Sequence, residues 1–250
     1  MLSSGRRRIF YARATAKAAV RRGLRSVGYE ITRTAAPFHD LQARLLASCD
    51  LVVDVGANTG QYVERIRALG YSGRIVSFEP QSAAFAVLHG RAAKATGWDV
   101  RRVALGAGAG MATLLVSRNS VSSSLLDMRS EHLRAAPDSA VVSREDVALS
   151  TLDGELDGHP ARAMWLKLDV QGVELPVLRG GQQVLPLVSV IQAELSLRPL
   201  YEADTDYLEL CDFLRDHGFV LAHVSPGFAD PASGELLQLD GLFVRAGSRA

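Results

Sequence analysis

The sequence is poor in the features that mark specialised protein classes. Its 250 residues include only two cysteines, Cys49 and Cys211, which do not form the C-x-x-C spacing of a metal site. No apolar run approaches the roughly 20 residues that a membrane-spanning helix needs. The basic start is a poor export signal, because no long apolar segment follows it. These absences exclude disulfide scaffolds and zinc modules, and we expect a cytoplasmic protein with reduced thiols.

Acidic residues are almost absent from the first 30 residues, which carry eight Arg or Lys residues and one acid. We predict a basic helical arm over residues 1–37, followed by one domain over residues 38–250. Three interpretations of the arm are open: a solvated helix, a peripheral contact of residues 1–30 with anionic lipid at the inner membrane face, and a nucleic-acid patch. The mildly acidic remainder offers no second basic stripe, so we expect no nucleic-acid partner.

What is present is a regular alternation of strands and helices from about residue 38. Short runs that are apolar on both faces indicate buried parallel strands. The predicted fold is therefore α/β, a doubly wound and mostly parallel sheet. Residues 107–150 break the rhythm and are predicted to be an insertion after the third strand. The predicted strands are LVVDVG, GRIVSFEP, DVRRVALG, AMWLKLDV, VSVIQAEL, FVLAHVS and LQLDGLFVRA, with MATLLVS and DVALSTLD inside the insertion.

The first strand runs into a glycine-rich turn and then a helix, in LVVDVGANTGQYVERI at residues 51–66. Gly56 and Gly60 lack a Cβ atom, which permits a tight turn and a close approach of a ligand to the backbone. The following helix offers free N–H groups at its start. Asp54 ends the strand beneath the turn, and Glu79 ends the next strand across the same crevice. Such strand ends form the ligand site of a parallel sheet, and an acid at position 79 suits the hydroxyls of a ribose.

The turn discriminates among cofactors that contain adenosine. Its G-A-N-T-G pattern lacks the third glycine of a dinucleotide site and the Lys-Ser/Thr pair of a P-loop. Asp54 would repel a pyrophosphate but suits the ammonium group of an amino-acid tail. S-adenosylmethionine carries that ammonium group together with a carboxylate and a ribose, and it is the predicted cofactor. An NAD(P)-dependent oxidoreductase on a similar sheet and a non-catalytic binding relative are the alternatives.

Several motifs together resemble the FkbM family of S-adenosylmethionine-dependent methyltransferases. VVDVGANTGQY, VSFEP, VALG, SSSL, STLD and LKLDVQGVELPVLRGG occur in the order of the family, and the likeness covers residues 38–245. Gln171 stands where the family often has Glu, and Val173 where it often has Ala. The resemblance implies O-methylation of a hydroxyl on a sugar, glycolipid or polyketide-type natural product. It also implies a Rossmann-like, seven-stranded class I methyltransferase sheet with a reversed last strand.

The resemblance further implies which residues bind the cofactor. The methionine part would lie against the glycine turn, the ribose against the end of the second strand, and the adenine against the end of the third. The residues so implied are Asp54, Gly56, Ala57, Asn58 and Gly60 in the turn, Glu79 and Pro80 at the ribose, and Val103 and Ala104 at the adenine.

A hydroxyl is a weak nucleophile at neutral pH, so methyl transfer to it calls for a base or a metal. The acids at the remaining strand ends, Asp169 and Glu194, are the candidate catalytic residues. Asp169 has two alternatives, as a helix cap or as an anchor for the ammonium group of the cofactor. Glu194 has the alternative of a buried pair with Lys167 or Arg198. The two acids could share a divalent metal, but no tight ligand cluster favours that reading.

Three further polar features have a structural interpretation, and two of them also have a functional one. Lys167 alternates with leucines and is expected to extend out of the sheet. His132 lies in the insertion and could face an acceptor, although a single loop histidine is more often exposed. The serines at residues 122–124 have the composition of a flexible linker, but their place beside the insertion favours recognition of acceptor hydroxyls.

Overall fold

The computed structural model describes residues 36–247, with side chains from residue 41 onward, so residues 1–35 of the predicted basic arm lie outside the described part. The strands of this part are β1 (Leu51–Val55), β2 (Arg74–Phe78), β3 (Trp98–Arg101), β4 (Ala104–Leu105), β5 (Gly110–Ser117), β6 (Val141–Ser150), β7 (Met164–Leu168), β8 (Val188–Ser196), β9 (Phe219–Pro226) and β10 (Gln238–Arg245). The helices are α1 (Ala36–Ala47), α2 (Gln61–Ala68), α3 (Ser82–Ala92), α4 (Ser130–Ala135), α5 (Leu152–Leu156), α6 (Glu174–Arg179) and α7 (Tyr207–Asp216).

The main sheet has seven strands in the order β3-β2-β1-β7-β8-β10-β9. Strand β10 runs antiparallel to both of its neighbours, while the other described pairs of this sheet are parallel. The chain therefore builds one half of the sheet outward from β1 and the other half outward from β7. This arrangement confirms the predicted α/β fold of the Rossmann-like class I type, including the reversed last strand.

Burial on both faces explains why the central strands read as unbroken apolar runs. All five residues of β1 and all five of β7 are buried, as expected for parallel strands that are covered on each side. Leucines of α5, α6 and α7 share one hydrophobic cluster with side chains of β1, β7 and β8. Helix α7 is buried on one face, where Leu210 and Leu214 lie about one helical turn apart. No helix among residues 36–247 is long and apolar enough to cross a membrane.

The insertion supplies β5 and β6, which form a second sheet with β4 in the order β4-β6-β5. Strand β5 pairs antiparallel with β6, as the two predicted strands suggested. Two predicted strands extend three or more residues beyond the observed end of the strand, however. The third strand ends at Arg101, and Ala104–Leu105 pairs with β6 in the second sheet. The strand predicted over DVALSTLD ends at Ser150, because the Thr151 side chain accepts a hydrogen bond from the Gly154 N–H and caps α5.

The glycine turn after β1 is shaped by contacts within the protein. Gly56 has φ +77°, and a Cβ atom there would lie 1.8 Å from the carbonyl oxygen of Asp169. Gly60 has φ +95°, and a Cβ atom there would lie 2.7 Å from the Trp98 ring. The close approach that these two glycines allow is thus occupied by backbone at one position and by an indole at the other. These contacts within the protein therefore suffice to require glycine at both positions, and the approach of a ligand there stays a prediction.

The contact at Gly56 predicts a stability difference between two glycine substitutions. Gly158 also has a positive φ, +66°, but a Cβ atom there would meet nothing within 4 Å. Gly158→Ala should therefore lower the free energy of unfolding by about 1 kcal/mol, through backbone strain alone. Gly56→Ala adds a clash with a backbone oxygen and should cost about 2 to 4 kcal/mol. Urea unfolding of both variants measures the difference, and equal losses would contradict the packing of the Asp169 backbone against this turn.

Candidate active site

A buried lysine lies at the centre of the site. Lys167 on β7 is directly opposite Asp54 on β1 in the parallel register, and its side chain is 9% exposed. Its Nζ atom donates to the carbonyl oxygen of Gly56 at 3.0 Å and lies 3.2 Å from Asp54 Oδ1 and 3.4 Å from Asp169 Oδ2. Burial alone would lower the pKa of Lys167, but the two carboxylates outweigh it and raise the pKa above its ordinary value. The expectation that Lys167 extends out of the sheet is wrong, because both faces of β7 are covered.

Asp54 supports the glycine turn from within the sheet. Its side chain is completely buried, and besides its contact with Lys167 it accepts a hydrogen bond from Ser77 Oγ at 3.4 Å. Burial raises the pKa of Asp54, and the neighbouring lysine opposes that shift. The sequence pattern predicted that this carboxylate would contact the ammonium group of a cofactor. In the structure, the ammonium group beside it is that of Lys167.

A cavity, which we call the first cavity, lies at the carboxyl ends of β1, β2 and β7. Much of its wall is apolar and includes Phe78, Leu105, Leu114 and Leu125. The residues implied for the cofactor divide into two groups by their position. Those that line the cavity are Gly56, Asn58, Glu79, Pro80, Val103 and Ala104, whereas Asp54, Ala57 and Gly60 lie outside its lining.

Glu79 and Asp169 are the two acids that line the first cavity, and backbone groups hold the Glu79 carboxylate in place. Its Oε2 atom accepts a hydrogen bond from the Asn58 N–H at 2.7 Å, and its Oε1 atom accepts one from the Gln81 N–H at 2.8 Å. Burial raises the pKa of Glu79 to about 7, against the effect of these two donors. An apolar wall that also carries the backbone-held Glu79 carboxylate fits an adenosine, since the base needs an apolar slot and the ribose needs a hydrogen-bond acceptor.

A second cavity opens beside the first, between the ends of β8 and β10 and the connection from β5 to β6. Its volume is about 270 Å³. Val121, Asp169 and Gln171 line both cavities, so they form the shared wall. The other polar residues that line the second cavity are Asn119, Ser122, His132, Ser139, Glu194 and Gln238. Asp169 and Glu194, the two predicted catalytic acids, therefore both line the second cavity, which we also call the chamber.

Gln171 bridges the two acids. Its Nε2 atom donates hydrogen bonds to Asp169 Oδ1 and to Glu194 Oε2, both at 2.8 Å, and its Oε1 atom accepts one from the Tyr201 hydroxyl at 2.7 Å. The backbone of Gln171 is left-handed, with φ +54°, a conformation that non-glycine residues adopt rarely and often at functional sites. The sequence identifies Gln171 only as a departure from the family pattern. Its bridging role could not be seen there, because Tyr201 and Glu194 are distant in the chain.

The Gln171 amide also bears on the metal hypothesis. Its nitrogen takes the place between the two carboxylates that a shared cation would need, and its N–H groups already satisfy one oxygen of each acid. Within residues 36–247, no group of three or more His, Cys, Asp or Glu side chains is arranged to hold a metal ion. The donor set of this chamber thus fits a hydrogen-bonded pair of acids better than a metal centre.

Glu194 is bound by amides and not by a cation. Its Oε2 atom accepts hydrogen bonds from Gln171 and from Gln238 Nε2, the latter at 2.9 Å. Burial, followed by the charge of Asp169 nearby, raises the pKa of Glu194 well above its ordinary value. Neither alternative partner is in place: Arg198 lies 2.7 Å from Glu235, and Lys167 is held by Asp54 and Asp169.

Asp169 is not the cap of the helix that follows it. Helix α6 begins after Val173, which makes no side-chain capping bond. The Glu174 carboxylate instead accepts hydrogen bonds from the Val170 and Gly172 N–H groups. Asp169 is left with Lys167 and Gln171 as partners, and its side chain is 43% exposed. It is accordingly available to a molecule in either cavity.

The insertion contributes a buried histidine and a row of serines. His132 is 3% exposed and lies between the rings of Tyr201 and Phe228, with ring centroids 5.3 and 5.5 Å away. Burial lowers its pKa, so the imidazole is neutral at neutral pH. The expectation of an exposed loop histidine is wrong. Residues 122–124 are ordered rather than a flexible linker: the first lines the second cavity, and the other two line the first.

Comparison with known proteins places these features in a family. The methyltransferase FkbM domain matches residues 54–221, and the comparison with curated proteins found no match. Among solved structures, the chain is similar to an rRNA methylase from Streptococcus thermophilus, with 12% identity over 87% of this chain and 99% of that chain and a TM-score of 0.47. It is also similar to a precorrin-6y C5,15-methyltransferase from Geobacter metallireducens GS-15, with 12% identity over 86% and 90% of the two chains and a TM-score of 0.44. Both likenesses are too distant to bear on the substrate. The family match covers about two thirds of the chain, and the protein belongs to the FkbM methyltransferase family.

Proposed function

We propose that the protein is an S-adenosylmethionine-dependent O-methyltransferase that acts on a hydroxyl of a sugar, a glycolipid or a polyketide-type natural product. The observation that carries this proposal is the pair of cavities that meet at Asp169 and Gln171. Methyl transfer needs the acceptor oxygen and the methyl carbon to be held in line. Two adjoining chambers with a common wall provide one place for each reactant.

The first cavity is the proposed cofactor site. S-adenosylmethionine, when bound, supplies a methyl carbon that its sulfonium charge activates. Glu79 would accept hydrogen bonds from the ribose hydroxyls, since its carboxylate is already fixed by backbone donors. Val103 and Ala104 would lie along the adenine, and Gly56 and Asn58 would face the methionine part.

Glu194 is the proposed base. Methyl transfer to a hydroxyl forms an O–C bond and breaks a C–S bond, and the hydroxyl loses its proton. A raised pKa brings a carboxyl group closer to the operating pH, where it accepts a proton more effectively than an ordinary glutamate does. Asp169 lies on the wall between the cavities, beside the Lys167 ammonium group, and Gln171 donates a hydrogen bond to each of the two acids.

Cofactor binding should depend on Glu79. Glu79→Ala should weaken the binding of S-adenosylhomocysteine by about tenfold or more, because a charge-assisted contact to the ribose is lost. Isothermal calorimetry at about one pH unit above the Glu79 pKa of about 7 measures the effect with the carboxylate ionised. Exposed Glu64→Gln is a control that should leave the affinity unchanged. Binding of NAD(P) with no binding of S-adenosylhomocysteine would support the oxidoreductase alternative instead.

The rate of methyl transfer should depend on the ionisation of Glu194. Because the base form is the carboxylate, kcat should rise with pH through the raised pKa of this residue. Glu194→Gln should lower kcat by about a hundredfold or more and remove that rise, while the affinity for S-adenosylhomocysteine stays unchanged. Glu209→Gln on the exposed face of α7 is the matched control. A retained pH profile in Glu194→Gln would assign the base elsewhere.

The charge of residues 1–30 supports a peripheral contact with anionic lipid, which would bring the site close to a lipid-linked acceptor. The full chain should co-sediment with vesicles that contain phosphatidylglycerol and not with pure phosphatidylcholine vesicles. Deletion of residues 1–30 should abolish the association, as should high salt, because the attraction is electrostatic. Equal binding to both vesicle types would count against lipid contact. Binding to duplex or single-stranded oligonucleotides of similar strength would favour the nucleic-acid interpretation.

A further inference from the structure

The second cavity has a charge pattern that restricts which acceptors it can hold. Its lining contains two acids, Asp169 and Glu194, and no Lys or Arg among the residues that the structure describes. The first cavity also has no Lys or Arg in its described lining. The buried cation beside Asp169, Lys167, is already placed between that residue and Asp54. An anionic group that entered the second cavity would therefore find no lysine or arginine in the described lining to pair with.

More acids lie behind this lining. The pKa of Glu194 is raised by burial and by the charges of Asp169, Glu174 and Asp240, which means that these groups interact with it. Asp240 is directly opposite Glu194 in the register of β10 and β8. Like charges in a partly buried site repel more strongly than they do in water. A phosphate or carboxylate in the second cavity would add a further acidic group beside these acids, two of which, Asp169 and Glu194, line the cavity.

The rest of the lining suits a neutral, hydroxyl-bearing ring. Asn119, Ser122 and Ser139 form a connected set of amide and hydroxyl groups, with Asn119 Nδ2 at 3.0 Å from Ser122 Oγ and 3.1 Å from Ser139 Oγ. Such groups both donate and accept hydrogen bonds, as sugar hydroxyls do. Phe228 and Ala136 add an apolar patch against which the C–H face of a sugar ring can pack. The volume of about 270 Å³ is slightly below the about 300 to 1,000 Å³ of typical ligand pockets.

We propose that the second cavity is an acceptor pocket for an uncharged sugar ring or a comparable cyclic polyol, and that it rejects acceptors with a phosphate or a carboxylate near the methylated hydroxyl. This inference rests on the proposed methyltransferase function and adds a rule of selectivity to it. The rule concerns charge close to the reacting hydroxyl, so a lipid or phosphate group further along the acceptor, outside the chamber, is compatible with it.

Methyl transfer to matched acceptor pairs tests the rule. The probes are 4-nitrophenyl glycosides of neutral hexoses and deoxyhexoses, each compared with the corresponding uronic acid or hexose 6-phosphate, with product mass as the readout. The neutral member should be methylated with a kcat/KM at least about thirtyfold higher than that of its anionic partner, because an unpaired charge in such a site is strongly disfavoured.

Equal or better transfer to the anionic member would overturn the rule. Failure of every neutral probe in an enzyme that still binds S-adenosylhomocysteine would overturn the assignment of a sugar-ring acceptor, whereas failure to bind S-adenosylhomocysteine would overturn the proposed function itself.

A charge introduced into the chamber gives an independent test. Ala136 lines the second cavity but not the first, so Ala136→Lys adds a cation on the acceptor side alone. This variant should lower the KM of the anionic probes by about fivefold or more relative to Ala136→Met, which adds similar length without charge. The neutral probes should respond equally to both substitutions. Thermal unfolding of the two variants checks that they fold alike, and an unchanged preference in a folded Ala136→Lys enzyme would show that charge does not set the selectivity.

Discussion

The arrangement of the site depends on the burial of the Lys167 ammonium group between β1 and β7. Removing such an ion from water costs several kcal/mol unless partners compensate for it, and here two carboxylates and one carbonyl oxygen do so. The parallel register fixes the first partner, because Asp54 is directly opposite in β1. The carbonyl of Gly56 fixes the glycine turn, and the second carboxylate, that of Asp169, lies where the two cavities meet. One cation thus connects the sheet, the cofactor turn and the reacting centre.

Lys167 also makes the surroundings of Asp169 and Glu194, the two acids of the second cavity, different. Asp169 lies 3.4 Å from the Lys167 ammonium group, whereas the described hydrogen-bond partners of Glu194 are neutral amides. Burial and nearby carboxylates raise the pKa of Glu194, whereas Asp169 has an ammonium group beside it. Two chemically similar side chains therefore have different surroundings in one site, as acid pairs with different catalytic roles do.

Local sequence pattern predicted the strands and the position of the site, but not its internal contacts. Val-rich runs and helical spacing placed most elements of the main sheet, since burial on both faces leaves a clear mark on the sequence. The pattern around Lys167 misled because alternation with leucines usually means an exposed face, while this strand has none. His132 was expected to be exposed because its loop is polar, yet it is enclosed by Tyr201 and Phe228, which lie about 70 and 100 residues further along. Contacts of that kind leave no local trace.

Gln171 illustrates why the identity of one residue can matter more than its match to a motif. An amide at this position donates one hydrogen bond to each neighbouring acid and accepts one from Tyr201. An ionised glutamate could only accept, so it would add a third carboxylate to Asp169 and Glu194 and leave the cluster in need of a proton or a cation. Glutamine instead holds the two acids 2.8 Å from its own side-chain nitrogen. The departure from the family pattern at this position therefore gives each of the two acids a hydrogen bond from within the chain, and it leaves two acids and no lysine or arginine in the described lining of the second cavity.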